Sequence, residues 1–361
     1  MDVFVSGDTA TFIRLATRTR FHLRMRPSWI ERLPLLDGTK ELSAIFGGDD
    51  EEERGRFRAF LGFLAERGVV VDGRDEEEGW RSGFDPEYAS AMERQFSWLL
   101  DVAHGLDGAA SAQRRLHDLR IAIVGVGAVG GWIARMLAMI GVRDLRLVDP
   151  AAVGPSDAAR HAFPGGVAGE KKATQAAAEL RSWGPWMRTE AVERRVDPDT
   201  DLDGVLGGRD LVVNTGDEPY IGHLALLIGR WCVLHGVPFL SAGGFDAHLG
   251  SSADLIIPGV TPCADCVTAH FRKALANWRP IQHPVRDRTM GFGGCAPLAI
   301  FSAAQAVHQV LLWILGEGDA QGGRNELDAE TYDLPRFTIP RNPECRVCGQ
   351  PRRPSNEPTH P

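Results

Sequence analysis

The sequence has no excess of basic residues. Forty Lys and Arg stand against 48 Asp and Glu, for a formal net charge of -8 and a pI near 5.8. That balance argues against a general nucleic-acid binder, although local basic patches remain compatible with it. No apolar run of the eighteen or so residues needed for a spanning helix is read from the sequence, so no membrane association is expected. The start, Met1-Asp2-Val3-Phe4, is acidic where a secretion signal is basic. Cysteine is scarce, six in 361 residues, and four of the six fall in the pairs Cys263-x-x-Cys266 and Cys345-x-x-Cys348. The expectation is a cytoplasmic chain whose paired thiols bind metal rather than form disulfides.

What the chain does have is 43% hydrophobic residues, enough for a full α/β domain and a smaller appendage. Residues 121–130 read Ile-Ala-Ile-Val-Gly-Val-Gly-Ala-Val-Gly, a buried strand entering a glycine turn, and Asp149 ends the next apolar run. Gly125 and Gly127 suit a tight turn that approaches a ligand, and Gly130 suits close packing of the following helix. This pattern predicts nucleotide binding. By itself it leaves NAD, FAD, S-adenosylmethionine and ATP open.

Strand and helix patterns alternate from Ile121 to about Ala274, as expected of a mostly parallel, Rossmann-like sheet with helices on both faces. Strands are expected at 121–124, 145–148, 191–196, 211–214 and 239–242, and helices at 130–140, 172–183 and 223–235. Residues 253–257 suggest a strand of a second sheet region, Pro297 to Leu315 a long apolar helix, and Tyr332 to Ile339 an edge strand. Upstream, residues 1–75 form a separate pattern. It has a strand at Phe21–Met25, helices over Trp29–Leu36, Thr39–Phe46 and around Phe57–Leu64, and a closing strand at Gly68–Val71, which together resemble a winged-helix module. Residues 76–118 are read as a linker and helices entering the core, 119–350 as the catalytic domain with a crossover loop near 276–290, and 351–361 as a disordered tail.

Four later features narrow the choice of nucleotide. Pro155-Ser-Asp-Ala-Ala-Arg160 follows Asp149, Gly169-Glu-Lys-Lys172 comes next, Asn214-Thr-Gly-Asp217 ends a later strand, and the two cysteine pairs close the set. Together they resemble the ThiF and MoeB adenylyltransferase family, which includes ubiquitin-activating enzymes and bacterial activators of sulfur-carrier proteins. The resemblance covers roughly residues 88 to 350 and implies ATP and Mg²⁺ as cofactors.

By that resemblance, Gly125, Gly127, Gly130 and Asp149 bind the adenosine and phosphate portions of ATP. Arg160 holds the triphosphate, Lys172 contacts phosphate with Lys171 as its competitor, and Asp217 holds Mg²⁺. Asp157 stands where the family has asparagine and puts an extra negative charge near phosphate. Arg94-Gln95 matches an arginine–glutamine pair that in homodimeric relatives reaches into the partner's site, so a homodimer is expected. Such a site suits carboxylate attack on the α-phosphorus, because cations neutralise developing charge and an ionised nucleophile needs no base. No nucleophile triad is visible. Each residue has a plainer alternative: Asp149 as a turn cap, Arg160 and Arg94 as surface residues.

Cys263, Cys266, Cys345 and Cys348 can surround a structural Zn²⁺ that pins the carboxyl-terminal segment. Cys232 is read as core. Cys295 is read as a small residue packed at a helix start, with a covalent thioester or persulfide role as the competing reading. His248, His270 and His283 are given no role, whereas Arg272, Lys273, Arg279, Arg286 and Arg288 surround the expected crossover loop.

The amino-terminal module resembles the leader-recognition domain of enzymes that modify ribosomally made peptides, which implies a precursor-peptide substrate whose leader adds as a strand to an exposed sheet edge. Two alternatives stay open. One is adenylation of the terminal Gly-Gly of a ubiquitin-like sulfur carrier, and the other is non-catalytic presentation of a leader to a partner cyclodehydratase.

Overall fold

The computed structural model describes residues 2–14, 18–70, 80–103, 105–163, 169–217, 221–243, 249–251, 253–274, 295–316 and 323–349. The chain divides into two compact units, Met1–Arg114 and Arg115–Pro361.

The first unit opens on a three-stranded antiparallel sheet of β1 (Asp2–Ser6), β2 (Thr9–Arg14) and β3 (Thr19–Arg24), in that order. The first two strands were not expected. Their signal is present, since Val3 and Val5 alternate with other residues, as do Ala10 and Phe12, around Gly7, whose φ of 61° suits the first position of a tight hairpin. Ala10 and Phe12 lie buried on helix α3 (Glu51–Glu66) with α1 (Pro27–Ile30) and α2 (Leu42–Phe46). Trp29 ties them together, with ring centroids 5.5 Å from Phe57 and 5.0 Å from Phe60 and its indole N–H donating to Glu53 at 2.6 Å. Asp50 starts α3 by accepting the Glu53 amide at 2.8 Å.

Two expectations need correction here. The helix expected over Trp29–Leu36 is α1 followed by a separate 3₁₀ turn at Leu33–Leu35, because Pro34 cannot supply an amide to a continuous helix. Residues 68–70 form a turn and irregular chain rather than the start of a closing strand; Val71 lies outside the described residues. Gly68, with φ 63°, ends the preceding helix instead. The same unit holds α4 (Pro86–Val102), capped by Asp85, and α5 (Leu106–Asp118), which runs into the second unit.

In the second unit six strands form a sheet in the order β10 (Asp254–Ile256), β8 (Phe239–Ser241), β7 (Leu211–Asn214), β4 (Arg120–Val124), β5 (Asp144–Val148), β6 (Arg188–Val192). All pairs are parallel except β10 with β8. The strand expected near 253–257 is therefore an antiparallel edge of this main sheet. Residues 121–124 of β4 are buried throughout, which is why that strand reads as a continuous apolar run rather than an alternating one. At its start Arg120 grips Asp210 through three hydrogen bonds of 2.8 to 2.9 Å, setting the register of β4 against β7.

Helices α8 (Leu202–Leu206) and α9 (Ile221–His235) bury Val205, Leu206, Leu224 and Ile228 with Val124, Val148 and Val212. Helix α7 (Lys172–Arg181) packs on β5 and β6, and α6 (Ala128–Met139) packs on β4 and against α11 (Ala296–Leu315). Helix α11 is 20 residues long and apolar enough to meet the length and composition of a membrane span, contrary to the expectation of no such run. Ser302, Ala303, Ala306, Val307, Val310, Leu311 and Ile314 are nevertheless buried within the unit. A second sheet, β12 (Arg336–Phe337), β11 (Arg324–Asp328), β9 (Leu249–Ser251), is antiparallel, and the edge strand expected over 332–339 is only its two-residue β12.

The crossover loop near 276–290 and the tail at 351–361 lie outside the described residues, as do residues 71–79 and His248, His283, Arg279, Arg286 and Arg288.

Candidate functional site

In the order β8-β7-β4-β5-β6, the chain winds one way from β4 through β5 to β6 and the other way through β7 to β8. A crevice therefore opens at the carboxyl ends of β4, β5 and β7, where sheets of this kind bind ligands. Register brings Val124 opposite both Val148 and Asn214. The segments after all three strands consequently meet.

The glycines after β4 do three different jobs. Gly125 has φ 90°, and a Cβ there would stand 2.7 Å from the Gly216 amide nitrogen, so the turn requires both the left-handed conformation and the missing side chain. At Gly130 a Cβ would fall 1.9 Å from the Gly125 carbonyl oxygen and 2.4 Å from Thr215 Oγ1. Gly127 has nothing within 4 Å of its Cβ position. It begins α6, whose first amides face outward from a helix start with no side-chain cap, an arrangement that suits an anion.

Asp149 is buried, and its carboxylate accepts the Val126 amide at 2.6 Å and the Ala151 amide at 2.7 Å. The turn-capping reading is thus part of what this residue does. Each carboxylate oxygen keeps a further lone pair for a ribose hydroxyl.

The 3₁₀ turn Pro155–Ala159 carries Asp157, which is buried and receives Lys172 Nζ at 2.8 Å on one oxygen and the Gly154 amide at 2.8 Å on the other. Burial pushes this carboxyl up, but the Lys172 and Gly154 hydrogen bonds outweigh it and hold Asp157 below its ordinary value. The negative charge expected to lie near phosphate is therefore matched by the neighbouring lysine rather than left unpaired. Arg160 ends the same turn, and among the described residues no carboxylate pairs with its side chain. Lys171 donates to the Pro150 carbonyl at 2.6 Å, which leaves Lys172 as the lysine beside the Asp157 turn. Asp217 is exposed just beyond β7, immediately after Gly216, whose amide nitrogen abuts Gly125.

Gly125, Gly127, Gly130, Asp149, Asp157, Arg160, Lys172 and Asp217 thus all follow the carboxyl ends of these strands or lie on segments bonded to them. Arg94 is exposed on α4 in the first unit, where Gln95 donates to Gln113 at 3.0 Å and Gln113 to the Tyr88 hydroxyl at 2.7 Å.

Sequence reasoning missed three residues that hold this site together. Thr215 Oγ1 donates to the Gly125 carbonyl at 2.8 Å, Trp132 Nε1 to the Arg160 carbonyl at 3.2 Å, and His161 Nε2 to the Val126 carbonyl at 2.6 Å. Thr215 lies inside the Asn214–Asp217 motif and His161 directly follows Arg160, and those adjacencies are the signals that point to them.

The four paired cysteines are buried in one cluster with all sulfurs within 4.8 Å of one another. Cys263 lies 3.8 Å from Cys266 and 3.6 Å from Cys345, and Cys266 lies 3.5 Å from Cys348. Thiolates about 2.3 Å from one tetrahedral zinc are about 3.8 Å apart, so the donor set and its spacing fit such an ion. Burial pushes Cys263 up and Cys266 up to about 11, while backbone amides of Cys348 and Val347 outweigh burial at Cys345 and lower it to about 7. The cluster ties the segment around Cys345 and Cys348 to the start of α10 (Ala264–Ala274). Cys232 is buried with its thiol pushed up by burial alone. Cys295 is exposed at the start of α11, where it is the residue before the first helical turn, and is not packed as expected. On α10, His270, Arg272 and Lys273 are exposed.

Residues 100–347 match the model of the ThiF family. The chain is 32% identical over 242 residues to the SAMP-activating enzyme E1 of Haloferax volcanii, covering 66% of this chain and 83% of that protein. It is 25% identical over 241 residues to the molybdopterin-synthase adenylyltransferase of Escherichia coli, covering 66% and 90%. Solved structures of E. coli MccB are similar over nearly the whole chain at 17% identity. With MccA the TM-score is 0.69 and 97% of each chain is covered; with ATP the TM-score is 0.67, covering 96% of this chain and 97% of that one. The family model spans the glycine turn, the Asp157–Lys172 pair and three of the four paired cysteines, with Cys348 one residue beyond it, and the chain belongs to the ThiF family as an ATP-using adenylyltransferase.

Proposed function

We propose that this protein adenylates a carboxylate of a ribosomally made precursor peptide. The observation that carries the reading is one of coverage. The curated adenylyltransferases match 66% of this chain, whereas MccB shares its fold over 97%, including the amino-terminal third. One MccB structure holds N-formylated MccA, and an N-formyl group is the mark of ribosomal initiation.

In the reaction a carboxylate oxygen attacks the α-phosphorus, the bond from that phosphorus to the bridging oxygen breaks, and pyrophosphate leaves. No proton moves. The Gly125 turn and Asp149 hold adenosine, and the first amides of α6, Arg160 and the free donors of Lys172 meet the phosphates. Asp217 supplies an exposed carboxylate for Mg²⁺, which when bound neutralises charge on the leaving pyrophosphate. Arg94 reaches the site of a second copy in a homodimer. The four cysteines hold structural Zn²⁺ in a reducing cytoplasm, with no part in the reaction.

The leader adds as a strand to the amino-terminal sheet. Supporting this, β3 is an edge strand, with Phe21 and Leu23 half-buried on one face and Arg20, His22 and Arg24 exposed on the other. The product is an acyl adenylate open to attack by a backbone amide or amine. A partner modifying enzyme can take it further.

The test is ATP–pyrophosphate exchange with precursor peptides encoded beside this protein's gene. Exchange is expected with full-length peptide, and removing the leader should raise KM much more than it lowers kcat. Asp217→Ala should abolish exchange while leaving the thermal transition in place. Exchange only with a small protein ending in Gly-Gly would establish instead the sulfur-carrier reading, which the 32% identity to the SAMP-activating enzyme favours. Leader binding without any exchange would leave only the presentation role.

A further inference from the structure

The peptide between Val126 and its neighbours sits at the centre of the glycine turn, and two buried side chains from different segments hold its two ends. Asp149 accepts the Val126 amide at 2.6 Å, and His161 Nε2 donates to the Val126 carbonyl at 2.6 Å. Both side chains are buried, and Val126 itself is fully so. A carbonyl oxygen can only accept, so Nε2 carries the proton. Nδ1 is then free to accept the Phe163 amide, 3.2 Å away. One imidazole thus braces the glycine turn with one nitrogen and closes its own loop with the other.

That loop is stapled to α6 along its length. Trp132 donates to the Arg160 carbonyl at 3.2 Å, Arg135 to the Ala162 carbonyl at 3.0 Å, and Gln175 of α7 to the Phe163 carbonyl at 2.7 Å. The loop lies in direct contact with α6 at Gly131, where an added Cβ would make ordinary contacts of 3.4 Å with Ala162 Cβ and 3.5 Å with His161 Nε2. The neighbouring bonds all reach helices. Among the described residues of this loop, His161 alone bonds to the turn between β4 and α6, and it is the residue next to Arg160.

We propose that His161 is a positioning residue that holds the Arg160 segment in register with the glycine turn, so that the guanidinium and the α6 amides address the same triphosphate. This rests on the glycine turn being the ATP cradle. His161 touches neither nucleotide nor substrate and acts through Val126 and Arg160. If the donor is removed, the Val126 carbonyl stays buried without a partner, and the turn and the arginine loop are free to shift against each other.

The test is the dissociation constant for Mg²⁺-ATP, measured by titration calorimetry on the full chain, for wild type, His161→Phe and His161→Gln. Phenylalanine keeps an aromatic ring beside Phe163, whose centroid lies 5.9 Å away, and removes the donor, with a slightly larger ring. Glutamine restores a donor and an acceptor on one side chain. ATP binding should weaken about tenfold in His161→Phe at temperatures where its circular dichroism remains native, and His161→Gln should recover most of the loss. A purely structural role would lower only the thermal midpoint of His161→Phe and leave its ATP affinity within twofold of wild type, which would overturn the proposal. Equal weakening in both variants would also overturn it, because the hydrogen bond would not then be the cause. If wild type itself binds no Mg²⁺-ATP, the ATP reading of the site falls and the proposal falls with it.

Discussion

Replacing Asp157 by asparagine restores the residue type expected at this position and exposes what the aspartate does. The Asp157 and Lys172 side chains are 6% and 13% exposed, so their 2.8 Å ion pair is close to the buried class. Breaking a buried pair by removing one partner costs about 3–5 kcal/mol. Asparagine keeps one of the two contacts, since its single carbonyl oxygen can still accept from either Gly154 or Lys172 but not from both at once. The expected loss is therefore about 2 kcal/mol, or about 4–8 °C in thermal midpoint for a unit of this size. Much of that loss should vanish in saturating Mg²⁺-ATP. A triphosphate gives the released Lys172 ammonium a new anion, and a ligand that binds the native state more tightly in the variant recovers stability through that binding. Thermal scans of Asp157→Asn and wild type, each with and without nucleotide, measure both effects. A deficit of the same size in both conditions would refute the idea that Lys172 is shared between Asp157 and phosphate. The absence of any deficit would refute the importance of the pair itself.

The two ends of the glycine turn should respond oppositely to alanine. Gly130→Ala places a carbon 1.9 Å from the Gly125 carbonyl oxygen and should cost about 3 kcal/mol or more in a urea titration, whereas Gly127→Ala meets nothing and should keep wild-type stability while weakening ATP binding about tenfold. One metal ion per chain is expected by plasma emission analysis; its removal by a strong chelator, or Cys345→Ser, should lower the thermal midpoint before any change in ATP affinity. At Asp210 burial pushes the carboxyl up, but the Arg120 hydrogen bonds outweigh it and leave it below the ordinary range. A depressed folded-state value stabilises the fold above the unfolded value near pH 4 and loses that contribution as pH falls further. Asp210→Asn should therefore flatten the acid limb of the stability profile below about pH 4, by less than 1 kcal/mol because the aspartate side chain is 36% exposed.

Local order made much of the catalytic unit legible. A fully buried parallel strand must be apolar at every position, and a helix that begins against a tight turn needs glycine where backbone crosses backbone. Ile121 to Gly130 therefore carries its structure in its own residues. The cysteine pairs were legible for a similar reason, since two short hooks suffice to place four sulfurs. The hairpin of β1 and β2 was equally local and was overlooked, although Gly7-Asp8 between alternating apolar residues marks it. The strand expected at Gly68–Val71 failed for the opposite reason. An apolar triplet after a helix has no intrinsic partner, and at residues 68–70 the chain leaves the helix through a left-handed glycine without pairing.

By itself the sequence determined the strand–turn–helix at Gly125, the alternation that makes a parallel sheet, and the four-thiol donor set. All of these follow from period, glycine conformation and ligand type within short spans. Only the tertiary structure decided that Asp157 belongs to Lys172, that Asp149 and His161 grip the same Val126 peptide, and that the 253–257 strand closes the edge of the main sheet. Those outcomes depend on which loops meet above the ends of β4, β5 and β7. A side chain's partner there is set by packing between segments far apart in the chain, and no local pattern encodes that packing.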